Sequence, residues 1–142
     1  MQVNIYTYSN AKGIKRQDVK VGYILSTQTQ KGEATASDFK TLENVTANQS
    51  ELQVLILALK RMNQKSILHI YTESVYVTNA IESWLENWKR NGWIAAKGKP
   101  VANLEEWQEL DKLLKGHEYT FHVQEEHEYR KWLKGEVNRK EK

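Results

Sequence analysis

Apolar and polar positions change their spacing several times along the chain, and each change marks an element. Residues 2–8 alternate, with Val3, Ile5 and Thr7 on one face and Asn4, Tyr6 and Tyr8 on the other. That is the period of a strand. After the polar turn NAKGIKRQ, the run VKVGYILST puts Val19, Val21, Tyr23 and Leu25 on one face of a second strand. KGEATASDFKTL, after the turn QTQKG, reads as a third. Short polar connections between the three predict an antiparallel meander.

The period then lengthens. In VTANQSELQVLILALKRM, Leu52, Leu55, Ile56, Leu59 and Met62 follow helical spacing, and Thr46 with Gln49 has the form of a capping box. SILHIYTES is apolar on both faces, as a buried central strand is. A second helix follows, with Val77, Ile81, Trp84, Leu85 and Trp88 on one face. The single proline, Pro100, precedes a third helix, for which Asn103 and Glu106 offer caps and Leu104, Trp107, Leu110 and Leu114 an apolar side. In HEYTFHV, Tyr119, Phe121 and Val123 alternate as a last strand, and a charged helical tail from about Tyr129 has Trp132 and Leu133 for anchorage. The predicted order is β-β-β-α-β-α-α-β-α, an α/β (α+β) fold: a five-stranded mixed sheet with helices on both faces.

Composition narrows the classes. At 142 residues the chain has the size of one domain, predicted over 1–142. No stretch reaches the roughly 20 apolar residues of a membrane helix. The start lacks a basic segment followed by an apolar run, so no signal peptide is expected. With no cysteine there is no disulfide framework and no thiolate metal site. These features point to the cytoplasm. The net charge of +3 permits an anionic partner. Positive charge gathers in NWKRNGWIAAKGKP, where Lys89, Arg90, Lys97 and Lys99 have no acid among them.

Three segments, IYTYSNAKG, TANQSELQVLILAL and IYTESVYVTNAIESWLENWKRNGW, together with KGKPVANLEEWQELDKLL, resemble type 1 ribonuclease H in its bacterial form with a basic protrusion. The resemblance covers residues 1 to 125 well and the tail loosely. It implies an endonuclease that cuts the RNA strand of an RNA–DNA hybrid with two divalent ions held by carboxylates. Such ions, about 4 Å apart, activate the attacking water and stabilise the leaving oxygen. Carried over position by position, the resemblance gives Glu51 and Glu73 as metal-binding catalytic acids, and Glu136 as a third if the tail aligns without gaps. The histidine of the family pattern has no clear match; His127 is near, but Glu126 falls in its place. An acid near a helix start is also what the helix dipole favours, a bland account open to Glu51 and Glu73.

Tyr8 departs from the family pattern, standing where the first-strand aspartate would bridge both ions. A phenol with a pKa of about 10 is neutral at pH 7 and a poor Mg²⁺ ligand. Glu73 is one methylene longer than the family's aspartate, and a misplacement of about 1 Å costs on the order of a hundredfold in rate. The sequence therefore predicts a catalytically impaired or inactive domain. For binding, the resemblance implies contact through Trp88, Lys89, Arg90, Lys97 and Lys99 on the protrusion and through Thr46 and Asn48 before the helix glutamate. The partner implied is an RNA–DNA hybrid or another nucleic acid, and a protein partner is a further possibility. Two alternatives stand beside this reading. One is an active ribonuclease H using Mg²⁺ or Mn²⁺; the other is a structural or protein-interaction module that needs no cofactor.

Overall fold

A computed structural model describes residues 1–139; the last three positions of the predicted domain, 140–142, lie outside the described residues. Strands β1 (Gln2–Ser9), β2 (Gln17–Thr29) and β3 (Gly32–Val45) form the antiparallel meander. Helix α1 (Ala47–Leu59) leads to β4 (Ile67–Thr72), which pairs parallel to β1. Helices α2 (Val75–Asn79), α3 (Leu85–Arg90) and α4 (Leu104–Leu114) precede β5 (Glu118–Val123), parallel to β4, and α5 (Arg130–Val137) follows. The sheet order is β3-β2-β1-β4-β5. Parallel neighbours need a crossover, and the helices supply it. The predicted order holds if α2 and α3 are read as one helix interrupted by a π-helical turn, Ala80–Trp84.

That interruption changes one expectation. A π turn holds more residues than an α turn and so rotates the positions around it. Val77 and Leu85 stay buried, but Trp84 is 55% exposed. Two caps also differ. Thr46 Oγ1 accepts from the Gln49 N–H at 3.1 Å, but the Gln49 side chain does not reach back; its Nε2 donates to Glu106 Oε2 at 2.8 Å. The capping box is thus half made, because Glu106 across the α1–α4 contact competes for the amide. Asn103 is left-handed (φ 60°) and makes no side-chain cap; its Nδ2 donates to the Tyr76 hydroxyl instead.

The sheet separates two apolar clusters. Val3, Ile5, Val19, Val21, Leu68 and Ile70 pack under α1 and α4, with Trp107 fully buried. Tyr6 and Ile24 point to the opposite face, where Leu133 and Val137 of α5 cover them. Gly22 sets how close α5 comes: a Cβ there would lie 2.9 Å from Val137 Cγ2 and 2.6 Å from Phe39 Cδ1. β1 is therefore buried on both faces, more than its alternation predicted. β4 is less so, since Ile67 is exposed and His69 and Tyr71 are half-buried.

Candidate active-site cleft and nucleic-acid interface

β1 and β4 run parallel with Tyr6 opposite Tyr71, so their carboxyl ends, Tyr8–Ser9 and Thr72–Glu73, lie side by side. Such ends are where open α/β sheets build sites. Across them lies an open cleft of about 730 Å³ lined by Tyr8, Ser9, Glu51, Glu73, Arg130 and Lys134, among others. Two of the predicted acids meet here. Glu51 accepts a long hydrogen bond from Thr72 Oγ1, at 3.4 Å. Burial, with a smaller contribution from the Glu73 charge, pushes its carboxyl up to about 7. The bland account of a helix-dipole acid fits neither. Thr46 caps α1, whose first turn holds no acid. Ser74 caps α2, its Oγ accepting from the Val77 N–H at 3.1 Å.

Glu73 already has a cation. Arg130 Nε donates to Glu73 Oε1 at 2.8 Å and Nη2 lies 2.6 Å from the same oxygen; the guanidinium also pairs with Glu126. These carboxylates hold the Arg130 pKa above its ordinary value. Glu73 Oε2 is buried without a partner among the described residues. Glu136 lies on the outer part of α5, 3.7 Å from Arg139, and is not among the residues lining the cleft. The first residue of α5, Arg130, is what that helix brings to the acids. His127 stacks on Tyr6 with ring centroids 4.4 Å apart. Burial, then the Arg130 charge, lowers its pKa.

The donor set does not fit the pair of divalent ions that the resemblance implies. Mg²⁺ takes near-octahedral oxygen ligation. The cleft offers the orphaned Glu73 oxygen and a Glu51 carboxyl in a desolvated setting, while Tyr8 lines the same wall with a phenol. Among the described residues no group of three or more histidines, aspartates or glutamates is placed to hold a metal ion.

The predicted binding residues divide by what already occupies them. Lys89 sits 3.1 Å from Asp111 and 3.6 Å from Glu86, so its charge is largely cancelled, Asp111 being a partner from outside the basic segment. Arg90 donates to Asn87 at 2.5 Å. Trp88 is half-buried, edge-on to Trp107 at 5.5 Å; it roots the protrusion in the core. Beyond it the chain doubles back, with the Ala95 N–H donating to Lys99 O at 2.7 Å, and presents Lys97 and Lys99 exposed at the tip. Lys97 there has a φ of 71°. Thr46 is spent on its cap, whereas Asn48 is exposed at the start of α1. Sequence reasoning missed Arg130, Lys131 and Lys134. The signal was present as RKWLK, where cations surround the buried Leu133.

Comparison with known proteins follows the same lines. The family model described as RNase H matches residues 1–131. Ribonuclease H of Rhodopseudomonas palustris (strain BisB5) is 42% identical over 98 residues, 69% of this chain and 59% of that protein. That of Brucella ovis is 42% identical over 96 residues, 68% of this chain and 56% of that protein. The match thus spans a little over half the length of these relatives. Among solved structures, LC9-RNase H1, a type 1 RNase H with the type 2 active-site motif, superposes with a TM-score of 0.78 at 19% identity, covering 96% of this chain and 70% of that one. LC11-RNase H1 in complex with an RNA/DNA hybrid gives 0.62 at 14% identity, covering 92% of each chain. Likenesses at such identity speak for the fold. No helix among the described residues is long and apolar enough to cross a membrane.

Proposed function

The chain belongs to the ribonuclease H family, and from that premise we propose that residues 1–142 work in the cytoplasm as one domain that binds an RNA–DNA hybrid or other nucleic acid and cleaves it weakly or not at all. The observation that carries this reading is the pairing at the strand ends. A phenol stands at Tyr8, and the neighbouring Glu73 is neutralised by Arg130 at 2.6 Å. A two-ion mechanism needs concentrated negative charge to hold two dications against each other. Here the anion expected on β1 is missing and one of the two remaining is already paired. Binding has separate support: Lys97 and Lys99 are exposed at the protrusion tip, and a family neighbour is solved on an RNA/DNA hybrid.

A second reading has one observation in its favour: Glu51 and Glu73 do meet in the cleft. Under it the domain is a slow ribonuclease H dependent on Mg²⁺ or Mn²⁺ that uses Glu51, Glu73 and Glu136. Incubation of the purified chain with a labelled RNA–DNA hybrid, with either ion, separates the two. Little or no cleavage is expected. EDTA-sensitive cleavage that disappears in Glu51→Gln overturns the first reading and installs the second.

A further inference from the structure

The cations of the cleft wall have no part in the reading above. Arg130, Lys131 and Lys134 all line the cleft together with Glu51, Glu73 and Glu126. An all-carboxylate cleft repels a phosphodiester until metal ions bridge the two. This cleft also carries three cations of its own, of which Arg130 is fixed against two of the acids. Arg130 is held against Glu73 and Glu126, and among the described residues neither Lys131 nor Lys134 has an ion-pair partner. Both lysines are exposed, while Leu133 between them is buried. Three positions apart on α5, they share a side of the helix, with Cβ atoms about 5–6 Å apart. α5 is not free to swing away: Leu133 and Val137 are buried, and Gly22 lets the helix sit directly on the sheet.

We infer that the cleft is a metal-independent phosphate site, in which Arg130 takes the cation's place against Glu73 while Lys131 and Lys134 hold a phosphate of a nucleic-acid backbone. A guanidinium is a permanently charged donor fork suited to carboxylates, bringing one positive charge where a metal ion would bring two. Lysine ammonium groups act as point charges toward phosphate, without sequence preference. The inference rests on the binding half of the proposed function and goes beyond it in assigning the contact to α5 as well as to the protrusion.

The test uses the full chain and a fluorescently labelled RNA–DNA hybrid at matched ionic strength, with EDTA or with Mg²⁺. Affinity is expected to be the same in both. Lys131→Glu with Lys134→Glu is expected to weaken binding at least tenfold and, for two lost phosphate contacts, to flatten the log–log salt slope by about 1.8. Unchanged thermal melting of that variant serves as the folding control. Calorimetric titration of the wild-type chain with Mn²⁺ is expected to show no saturable binding. Saturable Mn²⁺ binding, or hybrid affinity that requires Mg²⁺, overturns the inference. Undiminished binding by the lysine pair variant also overturns it, and if Lys97→Glu with Lys99→Glu then abolishes binding, the proposed function stands with the protrusion as sole contact. Failure of the wild type to bind any hybrid at low salt removes both.

Discussion

The cleft and the protrusion are both rich in charge, but they resolve it differently. In the protrusion Asp111 and Glu86 cancel Lys89, while Arg90, hydrogen-bonded to the neutral Asn87 amide, keeps its charge behind Lys97 and Lys99 at the tip. In the cleft, Glu73, an acid that reads as part of a metal site, is met by Arg130 from a helix more than fifty positions away. The difference teaches that a charge count along a chain is not a field. Short-range pairs decide the sign of each surface, and partners such as Asp111 come from outside the segment that looks charged.

The strongest way to break the comparison is to remove what roots the protrusion. Trp107 is fully buried, its Nε1 donating to the Tyr76 hydroxyl at 3.0 Å, and Trp88 leans on it. Trp107→Ala is expected to cost about 3–5 kcal/mol in denaturant unfolding and to loosen the protrusion while the cleft ion pair persists in whatever remains folded. A loss under about 1 kcal/mol would show that the two regions do not share this core.

Next in size is the half-buried acid of the cleft. Glu51 has its pKa raised from 4.5 to about 7, so the folded state keeps a proton that the unfolded state releases. The unfolded chain therefore binds fewer protons through that window, and stability falls as pH rises from 4.5 to 7. At 1.36 kcal/mol per unit the full effect has an upper bound of roughly 3 kcal/mol, discounted because the residue is only half-buried. Glu51→Gln is expected to match wild type near pH 4, to exceed it progressively above, and to gain no more past pH 8. Equal stability of the two at pH 8 would place Glu51 in a solvated or cation-paired setting, as an active metal site requires.

Gly22→Val tests whether α5 is seated by close approach. Overpacking of this kind costs about 1–3 kcal/mol. Displacing α5 should also take Arg130 from Glu73, so binding in EDTA should weaken together with stability. Smallest is the contrast within the protrusion. Lys97→Ala with Lys99→Ala should lower hybrid affinity severalfold and the salt slope by about 1.8, whereas Lys89→Ala should change either by much less. Equal effects from Lys89 and Lys97 would mean that the Asp111 pair opens on binding.

Much of the fold was legible because it rests on local periodicity. The meander, the stripe of α1 and the face of α4 each follow from the spacing of residues such as Val19, Val21, Leu52, Leu55, Trp107 and Leu110. The phase of the second helix was not, because a π turn is set by how α2 and α3 seat against their neighbours, and Trp84 went to solvent. At the site, Glu51 and Glu73 were legible through the family pattern. Glu136 was placed by counting through a loop of unknown geometry, and a register carried through such a loop holds only if its length is spent as assumed.

By itself the sequence determined the strand and helix order, the family, and the absence of an acid at position 8, since each is written in residue type and spacing. Only the tertiary structure decided that Arg130 faces Glu73, that Lys89 is cancelled by Asp111, and that Glu51 is pressed toward neutrality. Coulomb interactions and desolvation depend on distance and burial, and neither is carried by position along the chain.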